Sequence, residues 1–375
     1  MASETQPVPP STRIMSIDAL RGFDMFWIVG GDKVFLALVA LFVFPIPAAV
    51  KEQMTHVPWE GFVAWGLIMP LFLFIVGAAM PFAFAKRVQP DRSKLAAYPR
   101  ILVRVLVLWV FGMIVQGNLL AYDPSNLYLF SNTLQTIAVG YLVASIALLH
   151  LPLIGQLGLT ALLLVGYWLI MTLAAVPGHP AGMLEENVNF ARYVDQVVLG
   201  QFHREAWNYT WVLSSMSFAA TVLLGMHAGQ VLRSTRSQAI KVIALVAIGL
   251  ACLAVGWMWS TWFPINKRLF SSSMVLWAAG WSYLLLALFY LVIDVFGFRR
   301  WAFFFVVIGA NAIAAYMLTQ VPGFRRIWYE IIDVFIGNLP PHLGSHHESI
   351  QQVGAFALLW LLLFYLYRKG SFLRV

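Results

Sequence analysis

Charge and cysteine are what this sequence has least of. Charged residues make up 11% of the 375, against about 25% in an average soluble domain. Such a chain has too little polar surface to cover itself in water, and 61% of its residues are hydrophobic. The one cysteine, Cys252, lies inside an apolar run, so neither a disulfide framework nor a thiolate metal site is available. Glycine-rich phosphate loops of the P-loop or dinucleotide type are missing, because the 27 glycines are scattered. The alternating pattern of a membrane β-barrel strand is missing as well.

Long continuous apolar runs are what the chain does have. They fall near residues 22–44, 62–85, 102–119, 132–150, 153–175, 211–232, 240–262, 274–295, 302–320 and 352–367. Crossing roughly 30 Å of hydrocarbon takes about 20 helical residues, and only helices satisfy the backbone along such runs. The expectation is an all-α, polytopic integral membrane protein of about ten transmembrane helices. A further run at 327–337 is too short to cross and is expected to be interfacial or re-entrant. The first run has no small-residue cleavage site after it and reads as a retained helix.

Lys and Arg cluster at alternate ends of the runs, among them Arg13, Lys86, Arg87, Arg92, Arg236, Arg299 and Arg374. The positive-inside rule makes that side cytoplasmic, with both termini there. The opposite side holds most acids, including Glu52, Glu60, Asp123, Asp195, Glu205 and Glu348, although Lys267, Arg268, Arg325 and Arg326 also fall on it. The division expected is a cytoplasmic segment 1–21, one membrane domain 22–367 with external loops 45–61, 176–210 and 321–351, and a cytoplasmic tail 368–375. The net charge of +8 is spread over short loops, so topology accounts for it and nucleic acid is not an expected partner. Short loops point to a bacterial inner membrane; a homodimer is left open.

Ionisable groups inside a bilayer are expensive, which makes them site candidates. The first run holds Asp18 and Arg21, three apart on one helical face, then Asp24, Asp32 and Lys33. Asp18 and Arg21 read either as an anchoring ion pair or as part of a site. Asp32 reads as facing a hydrated cavity or as paired with Lys33. Asn132, Gln135 and Asn311 are further polar residues in apolar runs, where inter-helix hydrogen bonding is the usual role, and Ser214, Ser215, Ser217 and Thr221 read as permitting close helix packing.

The loop Thr55-His56-Val57-Pro58-Trp59-Glu60-Gly61 carries chemistry. Pro58 blocks helix formation and Gly61 allows a sharp turn, which holds His56 near the membrane surface. Imidazole is the side chain that takes and gives a proton near neutrality, and Glu60 could orient it. His203, His342, His346 and His347 share that side, but their spacing fits no strong zinc pattern and no metal is expected.

These residues carry a family likeness. Arg13 to Met25 (RIMSIDALRGFDM) resembles the opening signature of the transmembrane acyltransferases related to heparan-alpha-glucosaminide N-acetyltransferase. The block His56 to Gly61, continued by Met69 to Gly77, looks like that family's catalytic-histidine loop and second helix. Leu134 to Ala138, Pro264 to Lys267 and Gly309 to Ile313 match further blocks in the same order. The resemblance implies transfer of an acetyl group from cytoplasmic acetyl-CoA to the amine of a glucosamine-type sugar across the membrane. It implies His56 as general base or transient acetyl acceptor, with Glu60 beside it. Arg21 and Arg104 become candidates for the CoA phosphates, and Gln135, Asn266, Lys267 and Asn311 for holding the rest of acetyl-CoA. Trp59, Asp32 and Asn132 are candidates for the sugar. Two alternatives stand: an O-acyltransferase acting on a cell-envelope glycan, and a proton-coupled secondary transporter of small sugars.

Overall fold

The computed structural model describes residues 14–42, 46–85, 94–203, 208–334 and 347–373. Arg13, Lys86, Arg87, Arg92, Glu205, His342, His346 and Arg374 lie outside the described residues, as do the side chains of His347 and Glu348. Among the described residues the chain is helical, with two isolated bridges and no strand.

Among the described residues, eight helices are long and apolar enough to cross a membrane. Their regular parts are α4 (Ile68–Ala85), α5 (Tyr98–Gln116), α6 (Thr133–His150), α7 (Leu153–Leu173), α9 (Ser215–Arg233), α10 (Gln238–Trp259), α11 (Ser272–Phe289) and α15 (His347–Arg368). A pair of shorter helices, α12 (Ala302–Ala310) and α13 (Ala312–Gln320), bent by 71° at Asn311, is apolar enough together for a broken span or a re-entrant loop. The first expected run is broken too. It forms α1 (Met15–Phe26), a π-helical turn at Trp27–Gly31 and α2 (Asp32–Phe42). Gly30 takes φ 120° there, a conformation that disfavours a side chain. The helix starts at Met15, so Asp18 and Arg21 sit inside it rather than ahead of it.

Three shorter helices complete the set: α3 (Ala48–Gln53), α8 (Phe190–Leu199) and α14 (Pro322–Ile332). The last overlaps the run at 327–337 and, at 11 residues, is too short to cross; most of it is exposed.

Burial separates an inner from an outer layer. The apolar stretch of α9 is 78% buried and those of α4, α6 and α11 are 61% buried, whereas that of α15 is 11% buried and faces outward. In a bilayer the outer faces stay apolar, and close backbone approach takes over from the hydrophobic effect in joining helices. At the α4 and α9 contact a Cβ on Gly77 would strike the Val222 carbonyl, one on Gly225 the Phe74 carbonyl, and one on Gly229 the Ala78 carbonyl. Residues 74 and 78 thus meet 225 and 229 in step, so the two central helices run parallel.

We expect Gly225→Ala to lower the thermal midpoint of the detergent-purified protein, at a cost of about 1–3 kcal/mol for overpacking. Gly158→Ala, inside α7 with nothing within 4 Å of the new methyl, should hold or slightly raise it.

Candidate functional site

Two cavities lie end to end along the same helices. The larger, about 530 Å³, has Asp18 and Arg21 of α1, Phe72 and Ile75 of α4, Arg104 of α5, and Leu134 of α6 on its walls. The smaller, about 280 Å³, holds His56, Trp65, Tyr209, Lys267, Tyr316 and Gln320. One turn or less divides them on α4, α6 and α13, where Met69 faces the small cavity and Phe72 the large one, Thr133 and Leu134 are adjacent, and Tyr316 follows Ile313; on α5 Leu108 and Gln116 lie about two turns apart.

Side chains heal the two helix breaks beside these cavities. The Arg21 Nε donates to the Gly309 carbonyl at 2.9 Å, next to the Asn311 bend. In return Gln320 Nε2 donates to the Ile28 carbonyl in the π turn at 3.3 Å. Arg21 also pairs with Asp18 at 2.7 Å, as its spacing allowed. The Arg104 guanidinium stacks 4.4 Å from the centre of the Tyr141 ring.

Between the cavities, Asn132 and Gln135 form a reciprocal cap at the start of α6. Asn132 Oδ1 accepts from Leu134 N at 2.8 Å, while Gln135 Oε1 accepts from Ser131 N and Asn132 N at 2.9 and 3.1 Å. Asn132 Nδ2 then donates to Gln116 Oε1 and Tyr316 OH, both at 3.1 Å. The two amides are therefore structural partners at the division, and neither lines a cavity.

At the small cavity the Trp65 indole N–H donates to His56 Nε2 at 3.3 Å, which leaves the ring hydrogen on Nδ1. The Gly61 N–H donates to the Ile265 carbonyl at 2.9 Å and ties the His56 loop to the Lys267 loop. Asn266 Oδ1 folds that second loop by accepting from Arg268 N and Leu269 N at 2.8 and 2.9 Å. Lys267 Nζ donates to the Trp65 carbonyl at 3.2 Å. His56 keeps an edge open to solvent; its partial burial first, then the charges of Lys267 and Arg268, bring the pKa down to about 4. Burial likewise lowers Lys267 to about 8, with Asp24 opposing that shift and Arg268 adding to it.

The remaining wall comes from the chain leading into α9. Asp195 accepts from Trp211 N and Val212 N, both at 2.8 Å, and burial raises its pKa to about 7. This carboxylate sets the backbone that presents Tyr209 and Trp211 to the cavity.

Several expected site residues fall elsewhere. Glu60 is exposed and makes no hydrogen bond to His56; the indole of Trp65 takes the ring nitrogen instead. Trp59 donates to the Leu184 carbonyl at 3.0 Å and packs in a separate apolar cluster with Tyr167 and Phe263. Asp32, half-buried at the start of α2, lines neither cavity. Asn311 accepts from Leu373 N at 3.3 Å and sits at the bend, while Asn266 is a turn residue; neither lines a cavity. Lys267 lines the small cavity, at the end remote from Arg21 and Arg104. Among the described residues no three His, Cys, Asp or Glu gather around a metal position. Trp65, Gln116, Tyr209, Trp211 and Tyr316 escaped the sequence reading. Only Gln116, a lone amide near the end of an apolar run, carried a signal there.

Fold and cavities together define a polytopic helical membrane protein with two cavities, divided near the start of α6, between its helices. Over 98% of its length the chain is 25% identical to heparan-alpha-glucosaminide N-acetyltransferase of Homo sapiens, and equally to that of Mus musculus. It is thus a relative of these acyltransferases, as the motif blocks implied. The chain spans about 60% of the length of these curated relatives. No protein-family model matches it.

The His56 environment has a direct readout. The imidazole reacts with diethyl pyrocarbonate only when neutral, so the pH midpoint of its modification, followed by mass spectrometry, is expected near 4. Removing a cation favours the protonated ring, so Lys267→Met should move that midpoint upward, towards the ordinary 6.5.

Proposed function

We propose that this chain is a transmembrane acetyltransferase. It takes an acetyl group from acetyl-CoA held in the large cavity and gives it to the amine of a glucosamine-type sugar in the small one. The observation that carries this reading is the stacking of the two cavities, divided on α6 by the step from Thr133 to Leu134. The large cavity suits a long anionic donor: Arg21 and Arg104 at its wall offer guanidinium groups to phosphates, and its apolar length accepts a neutral pantetheine arm. Its volume is in the range of ligand pockets generally. The small cavity suits a sugar, with aromatic faces from Trp65, Tyr209 and Trp211 and amides from Gln116 and Gln320. On this reading the basic end is cytoplasmic and the His56 end faces the periplasm of a bacterial inner membrane.

The chemistry follows from the charges. Lys267 and Arg268 disfavour an ammonium beside them, so the acceptor sheds its first proton to solvent and presents a neutral amine. Its nitrogen attacks the thioester carbonyl carbon, and Lys267 stabilises the oxyanion that forms. His56 is neutral near pH 7 because its pKa is about 4. The adjacent oxyanion raises its basicity as it takes the second proton from nitrogen, once the Trp65 indole yields Nε2. The C–S bond breaks, and the imidazolium returns that proton to the departing thiolate. An amide and free CoA thiol result, with one proton released overall.

Detergent-purified protein should consume acetyl-CoA when glucosamine is present, read as free thiol. His56→Ala should cut the rate about 10²–10⁴-fold while the thermal midpoint holds; full activity in that variant would remove His56 from the mechanism. Arg21→Gln should raise the KM for acetyl-CoA about tenfold or more with little change in kcat, the loss of a charged contact to phosphate. Glucosamine accumulation in sealed vesicles with the thioester intact would favour transport instead.

A further inference from the structure

Asp24 is the buried acid that this mechanism leaves unused. It lies on α1 one turn beyond Arg21, is fully buried, and neither carboxylate oxygen has a hydrogen-bond partner. A carboxylate without a donor at such a position is costly unless an opposite charge compensates it. Arg21 is already committed to Asp18 and the Gly309 carbonyl. Lys267, from the loop between α10 and α11, is the cation bonded to a wall of the space that Asp24 opens onto, the Trp65 carbonyl.

The geometry supports a coupling of the two. Asp24 opens onto a cavity of about 170 Å³ walled by Trp27, Trp65, Ile68 and Leu71. Trp65 and Ile68 also wall the His56 cavity, so the two spaces share a partition. Lys267 Nζ is bonded to the backbone of that same Trp65, and the Trp65 indole is bonded to His56. The groups facing Lys267 are Asp24 from α1, Arg268 from its own loop, and His56 and Tyr209 across the small cavity. The neighbouring helices α4 and α11 contain no charged residue.

We infer that Asp24 is a positioning residue for the His56 site: its carboxylate is the countercharge that holds the Lys267 ammonium ionised and aimed at the base of the small cavity. This deepens the acetyl-transfer reading and rests on it for its catalytic meaning, because a charged Lys267 adds to burial in lowering the His56 pKa and stabilises the oxyanion. Without Asp24, burial and the Arg268 charge act on Lys267 unopposed, and the ammonium loses its proton at lower pH.

The test reads Lys267 itself in the full chain in detergent, by reductive methylation over a pH series with the Lys267 peptide quantified by mass spectrometry. The wild-type midpoint is expected near 8. In Asp24→Asn it should fall by about one pH unit or more, the size of shift an adjacent opposite charge produces, and Asp24→Glu should restore it. An unchanged midpoint in Asp24→Asn overturns the inference. If that variant does not fold, Asp24→Asn combined with Lys267→Gln decides the matter. Recovery of folding when both charges go supports the pairing, and a double variant as defective as the single one overturns it. Where the wild type transfers acetyl groups, the alkaline limb of kcat/KM should move to lower pH in Asp24→Asn with the KM for acetyl-CoA unchanged, and a limb that stays in place sinks the positioning role. A wild type that labels as expected but consumes no acetyl-CoA defeats the functional reading and leaves the charge coupling standing.

Discussion

Backbone amides and carbonyls inside a bilayer have no water to bond, and the rest of this structure depends on how that constraint is met. Irregular backbone is tolerated at membrane depth only where it is enclosed by protein or lines a cavity. Two of the apolar runs are broken, at the π turn of Trp27–Gly31 and at the Asn311 bend, and side chains join the two breaks. The α1 side chain Arg21 satisfies a carbonyl beside the bend, and the α13 side chain Gln320 satisfies one in the π turn. Each broken helix thus repairs the other, and residues of both line the two cavities.

The same constraint explains why the polar groups come in short connected sets. Asn132 and Gln135 close the start of α6 and reach Gln116 and Tyr316 across the division between the cavities. Asn266 and Ser271 fold the loop that delivers Lys267. Asp195 captures the two backbone N–H groups ahead of α9 and thereby places two aromatic walls. The small cavity is consequently lined by groups whose own positions are held from outside it, as a preorganised site requires.

Much of the architecture was legible in the sequence. Apolar runs of about 20 residues and few charges agree with a helical polytopic protein, because hydrocarbon thickness sets helix length directly. The ion pair of Asp18 with Arg21 was readable from i,i+3 spacing, and the family blocks extend over the chain as the similarity to the glucosaminide acetyltransferases does. The polar cap of α6 was also present as an Asn-x-x-Gln pattern, yet the two residues suggested a cavity face because polar groups in an apolar run invite that reading.

The sequence by itself determined what is periodic and local: helix type, the stretches apolar enough to enter a membrane and the placement of His56 in a loop. Only the tertiary structure decided which polar groups share a space. Lys267 is 211 positions from His56, and Asp24 is 243 positions from Lys267, yet one tryptophan, Trp65, joins their surroundings. The expected partner of His56, Glu60, is four residues away in the chain but points to the surface. Helix periodicity says which residues share a face; which faces meet depends on close contacts such as Gly77 with Val222 and Gly22 with Phe305, where the absence of a side chain permits the approach.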